Sequence, residues 1–102
     1  MSRLEDFKKI AERSKKPLPW YGLAMEYRSA GDFAASVETF QKVHAIDAKY
    51  VAAYFMCAQV LAESLADAAG ARQELERGMA VAREIGDDHA YGEMAALLET
   101  LT

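Results

Sequence analysis

Apolar residues recur along the chain at helical spacing, in blocks separated by short polar breaks. Trp20, Leu23, Ala24 and Tyr27 stand at i, i+3, i+4 and i+7 and form one stripe of a helix. Gly31 and Asp32 interrupt it, and Phe33, Val37, Phe40 and Val43 begin a second stripe that runs to about Ile46. A helix, a tight break and a second helix describe an antiparallel helical hairpin. Asp47 to Tyr50 form the next break, and Tyr54, Cys57, Ala58 and Leu61 then restate the first stripe on a helix over 51–65. Asp67 is placed to cap a fifth helix with Ala71, Leu75, Gly78, Ala82 and Ile85 inward. Gly86, Asp87 and Asp88 end that helix and cap a sixth, over 89–101, whose stripe is Tyr91, Met94, Ala95 and Leu98.

A further helix precedes these, over 3–15. Ser2 followed by Glu5 is a capping-box pattern, and Leu4, Phe7, Ile10 and Ala11 are its expected buried stripe. Pro17 disfavours helical geometry at Lys16 and so ends it. Gly78 stands where the equivalent of Val43 would fall. A helical glycine costs about 1 kcal/mol against alanine, so it marks either a close helix contact or a tolerated weak point.

From Trp20 to Tyr54 is 34 residues, a repeat length known for paired helices. The next interval, Tyr54 to Tyr91, is 37. Within the repeats, Tyr27 to Phe40 spans 13 residues and Leu61 to Leu75 spans 14, which predicts a looser turn in the second hairpin.

These residues resemble the tetratricopeptide repeat, whose pattern is W-x2-L-G-x2-Y, A-x3-F and P. The first repeat supplies Trp20, Leu23, Ala24 in the glycine slot, Tyr27, Gly31 at the turn, Ser36 in the alanine slot and Phe40, with Ala48 where proline is frequent. The second supplies Tyr54, Cys57, Ala58, Leu61, Ala71 and Leu75. The resemblance covers residues 17–101. It implies an all-α fold of about six helices, with antiparallel hairpins stacked as a short right-handed solenoid. Residues 1–102 then form one domain: an N-terminal half-repeat helix (3–15), two repeats (17–50 and 51–87) and a capping helix (88–101).

In that family the first helix of each pair lines a concave surface. Applied here, a second apolar stripe on helix two, with Leu18, Tyr21, Met25 and Arg28, faces a groove. Helix four contributes Ala52, Phe55, Met56, Gln59 and Glu63, and helix six contributes Glu93 on a face shared with His89. Some family members hold a partner's C-terminal carboxylate with lysine, arginine and asparagine. Tyr21, Met25 and Met56 occupy those slots here, which argues against that ligand and for an apolar segment with basic residues.

Composition narrows the alternatives. Of 102 residues 52% are hydrophobic, ample for a core, and the formal net charge is −4, which argues against nucleic acid as the main partner. The charge is uneven: residues 2–17 hold six cations against three acids, leaving −7 for the rest. No stretch approaches the roughly 20 apolar residues of a membrane span, and the charged N-terminus lacks a signal-peptide core, so a cytoplasmic protein away from membranes is the expectation. Cys57 is the only cysteine and reads as a packing residue. His44 and His89 lack ligand partners at metal spacing, and there is no glycine-rich phosphate loop, so neither cofactor nor catalysis is expected. The reading is a non-catalytic module that binds a peptide or protein segment in an apolar groove. The alternative is self-association, as a homodimer or larger assembly, through the same surface or an exposed end of the stack.

Overall fold

The structure, a computed structural model, describes residues 2–101. Among them the chain forms six helices: α1 (Arg3–Glu12), α2 (Pro17–Ser29), α3 (Phe33–Ile46), α4 (Val51–Gln59, continued by a π-helical turn over Val60–Ser64), α5 (Ala68–Ile85) and α6 (Asp88–Glu99). Successive helices pack on one another, and α4 also meets α6. None of the described helices is long and apolar enough to cross a membrane.

Side chains start most of these helices. Ser2 Oγ accepts from the Glu5 N–H, and Asp32, Asp67 and Asp87 accept from the N–H groups of Ala35, Gly70 and Ala90. Each such cap satisfies a donor that the helix cannot, a contribution of about 1 kcal/mol. Helix α2 starts instead on Pro17, whose missing N–H is an orphan at that position anyway. Helix α1 ends at Glu12, short of the expected Lys15. The Ser14 carbonyl accepts from Trp20 Nε1 at 3.3 Å, which fixes the chain in a turn there.

The aromatic residue that opens each repeat holds the preceding loop in the same way. Tyr54 Oη donates to the Ala48 carbonyl at 2.8 Å, six residues back, as Trp20 does to Ser14. An apolar ring with one polar atom suits this role, because the ring packs while the tip ties down backbone. Tyr91 departs from the pattern: its hydroxyl accepts from Arg83 Nη2 at 2.7 Å.

The extra residue of the second repeat is not in the loop. Three residues join the paired helices in both repeats, 30–32 and 65–67. In the first, the Asp32 N–H reaches the Tyr27 carbonyl five residues back at 3.0 Å; in the second, the Asp67 N–H reaches Leu61 six residues back at 2.8 Å. The π turn takes up the difference, with Leu65 N–H bonded to the Val60 carbonyl at 3.1 Å. Gly31 provides the left-handed residue of the first loop at φ 83°, and Ala66 must do so in the second at φ 51°. The looser turn expected there is thus a widened π-helical turn followed by a strained left-handed alanine.

The core runs through α2 to α6. Ala24, Phe40, Val43, Tyr54, Cys57, Leu75 and Met94 are buried in it. Ser36 is fully buried and donates to the Ala24 carbonyl at 2.8 Å, so a hydroxyl in the alanine slot is satisfied by the facing helix. Gly78 is a close contact: a methyl group there would meet Tyr54 Cβ at 2.5 Å and Met94 Sδ at 2.6 Å. Two residues expected inward are exposed, Ile10 (59%) and Ile85 (45%). Helix α1 packs on α2, which buries only a narrow strip centred on Ala11, and Ile85 ends α5 at the turn, beyond the cover of α6.

Two stability changes follow. Ala66→Gly removes left-handed strain worth about 1 kcal/mol and raises the thermal midpoint by several degrees in circular dichroism melts. Gly78→Ala, despite a gain in helix propensity, forces Tyr54 away from α5 and lowers stability by about 1 to 3 kcal/mol in urea unfolding.

Candidate protein-binding groove

Helices α2, α4 and α6 open the successive repeat units, and the 34- and 37-residue intervals set their positions level. Leu18, Ala52 and His89 correspond, as do Tyr21, Phe55 and Gly92, and Gly22, Met56 and Glu93. A pocket of about 210 Å³ lies at this level. Tyr21 of α2 forms one side, Val51, Ala52, Phe55 and Met56 of α4 its floor, and Asp87, His89, Ala90 and Glu93 its far wall.

The walls are held from behind. The Tyr21 ring packs edge-on against Phe40 with centroids 5.8 Å apart and lies 5.3 Å from Tyr50. Burial, and then Tyr50, push its hydroxyl above the ordinary tyrosine range, so it stays neutral. Phe55 and Met56 are half-buried against the core, whereas Ala52 is exposed. Asp87 both caps α6 and lines the pocket, and His89 Nε2 stands 3.4 Å from Glu93 Oε1 on the exposed side of α6. The groove is therefore apolar in its floor and acidic along α6, and α6 stands beside it as a wall.

Of the ten candidate residues, Tyr21, Ala52, Phe55, Met56 and Glu93 line the pocket. Leu18, at the start of α2, is 64% exposed and does not line it. Met25, Arg28 and Gln59 sit a turn or more further along α2 and α4 and are half-buried, and Glu63 is exposed in the π turn. None of these four lines the pocket. The four lining residues absent from the candidates are Val51, Asp87, His89 and Ala90. The repeat spacing carried a signal for them, since His89 falls level with Leu18 and Ala52; Asp87 was concealed by its role as a cap.

No family model matches the chain. A TPR repeat-containing protein of Pseudomonas aeruginosa is 34% identical over 94 residues, covering 92% of this chain and 89% of the relative. The chain belongs to the tetratricopeptide repeat family. Its fold matches the solution structure of a tetratricopeptide repeat domain protein from Salinibacter ruber with a TM-score of 0.78 at 23% identity, over 84% of this chain and 86% of that one. A solution structure from Bordetella parapertussis matches with a TM-score of 0.82 at 25% identity, over 99% and 88%.

Behind the groove, the junction between the two tetratricopeptide units holds a buried polar group. Glu74 Oε1 accepts from Gln41 Nε2 at 2.7 Å and from Arg77 Nη1 at 3.4 Å. Glu74 Oε2 faces His44 Nδ1 at 3.7 Å, and the His44 ring stacks on Tyr54 at 3.7 Å. Burial, and then Arg77, lower the His44 pKa to about 4, so the ring is neutral at pH 7. Cys57, fully buried nearby, has its thiol pushed up to about 12, chiefly by burial, which holds it protonated and unreactive. Among the described residues no three His, Cys, Asp or Glu side chains are grouped to hold a metal ion.

The junction gives stability a pH dependence. The folded pKa of His44 lies below the 6.5 of the free side chain, so the unfolded chain takes up the proton more readily. Stability is full above about pH 6.5 and falls as pH drops toward about 4, by about 1 to 2 kcal/mol between pH 6.5 and 5. Urea unfolding across that interval reads the loss, and an NMR titration of His44 shows a midpoint below the free value.

Proposed function

We propose that this chain is a non-catalytic protein-interaction module that holds a segment of a partner protein in the groove between α2, α4 and α6. Tetratricopeptide repeats in general mediate contacts between proteins. The observation that carries the reading is the composition of the groove: half-buried Tyr21, Phe55 and Met56 with exposed Ala52 at the floor and carboxylates at one side. Its volume, about 210 Å³, is below the roughly 300 Å³ at which small-molecule pockets begin, and suits one or two anchoring side chains of a larger partner. Methionine and aromatic side chains make such a floor adaptable.

A second reading, self-association, draws on Ile10 and Leu18, large apolar side chains left 59% and 64% exposed at the α1–α2 end. Light scattering over a concentration series separates the two, since a strict monomer at high concentration removes the second.

Truncating Tyr21 would test the groove poorly, because its ring also supports Phe40. Ala52→Arg is the cleaner change: the residue is exposed, the helix is retained, and a long cation is placed across the floor. In affinity capture from native lysate, the proteins retained by the wild type are lost with Ala52→Arg while the melting curve is unchanged. A partner retained equally by both proteins would contradict the reading.

A further inference from the structure

The two ends of the stack are complementary halves of one repeat. In the first repeat Ser36 of the second helix donates to the carbonyl of Ala24 in the first, at 2.8 Å, and both residues are fully buried. Helix α6 is a first helix carrying the same stripe. Among the described residues no second helix packs on it, and Tyr91, Ala95 and Leu98 are left half-buried. Helix α1 is a second helix, because Trp20 holds the loop that follows it as Tyr54 holds the loop that follows α3. Matching Ser14 to Ala48 in those loops puts Ser2 in the slot of Ser36, Asp6 in that of Phe40 and Lys9 in that of Val43. All three are exposed.

We infer that copies of this chain associate head to tail, with α1 of one copy packing antiparallel on α6 of the next and completing a tetratricopeptide unit between them. This gives the self-association reading a definite interface and is independent of the groove reading, since Tyr91, Ala95 and Leu98 do not line the pocket. Placing Ser2 against Ala95, as Ser36 lies against Ala24, sets the register. Asp6 then falls level with Tyr91, whose hydroxyl holds the Arg83 guanidinium, and Lys9 falls level with Asp88. Among the described residues no carboxylate of the same chain pairs with Arg83, and Asp6 of the next copy supplies one. Ile10 falls level with Asp87, at the turn where α5 ends on Ile85. The two isoleucines left 59% and 45% exposed, one at each end of the stack, are thereby brought to one level.

Charge selects this pairing over two like ends. Residues 2–17 hold six cations against three acids, whereas α6 carries Asp88, Glu93 and Glu99 and neither lysine nor arginine. Two α6 helices face to face would repel, and α1 against α6 attracts. A head-to-tail contact joins different surfaces of each copy, so it leaves a free end of each kind and growth continues with concentration.

Disulfide trapping tests the register, and native Cys57 is fully buried and silent in it. Ser2→Cys and Ala95→Cys proteins, mixed at high concentration under a mild oxidant, form a mixed disulfide dimer, while either variant alone stays uncross-linked. Ala45→Cys, at an exposed site on α3, replaces Ala95→Cys as the control and gives no product. In sedimentation the wild type grows beyond a dimer as concentration rises, and high salt reverses the growth. Asp6→Lys or Arg83→Glu weakens association by about threefold or more with the helical circular dichroism retained, and the double variant recovers it.

A wild type that stays monomeric at every concentration overturns the inference and leaves the groove reading untouched. Cross-linking of Ala95→Cys with itself overturns it in favour of a two-fold pairing of α6. Equal trapping by Ala45→Cys overturns it as random collision, and a double variant no better than the single ones overturns the register. Association abolished by Ala52→Arg overturns it by placing the second copy in the groove.

Discussion

Tyr54 is the side chain on which the two repeats meet, and the rest of the array depends on how tightly that meeting is made. Its hydroxyl ties down the loop before α4, its ring stacks on His44 from α3, and the Arg77 guanidinium lies 5.6 Å from the ring centroid. Its Cβ presses into the space left by Gly78, beside Met94 of α6. One residue therefore reaches α3 and α5 from α4. Overpacking at such a point cannot be absorbed locally, because packed interiors have no spare volume for it.

That arrangement divides α4 into two faces with different duties. Tyr54, Cys57, Ala58 and Leu61 turn inward and are buried, while Val51, Ala52, Phe55 and Met56 turn toward the groove. Helix α2 repeats the division, with Leu23 and Ala24 buried and Tyr21 at the groove. The groove is thus shaped by residues that do not line it: the tighter the inward stripes pack, the more firmly the outward residues are held level. On the far side of this packing, buried His44 and Glu74 are bridged to the surface by Gln41 and Arg77, with the imidazole neutral and the Cys57 thiol nearby protonated.

Much of this was legible in the sequence, because helical periodicity and capping are local. The stripes from Trp20 and Tyr54 and the caps at Asp32, Asp67 and Asp87 lie where the spacing put them. Gly78 was visible as an anomaly, but its reason needed Tyr54 and Met94, distant in sequence, to be placed against it. The extra residue of the second repeat was countable, yet sequence alone could not assign it to a π turn, since loop and helix end absorb an insertion equally well on paper. Ile10 and Ile85 satisfied the periodicity and are exposed, because periodicity identifies a face without saying whether a neighbour covers it. Of the candidates taken from these stripes, Tyr21, Ala52, Phe55, Met56 and Glu93 line the pocket while Met25, Arg28, Gln59 and Glu63 lie further along α2 and α4, because a helical stripe marks a face and not how far along it a pocket extends.

If Tyr54 joins the repeats as described, α3, α4 and α5 form one cooperative unit. Native-state hydrogen exchange measures this directly. The slowest amides of Phe40 and Val43 in α3, Cys57 and Ala58 in α4, and Leu75 in α5 should open with one common free energy equal to that of global unfolding. A lower opening free energy for α5 than for α3, with the first repeat still protected, would show that the repeats unfold separately and that Tyr54 does not join them.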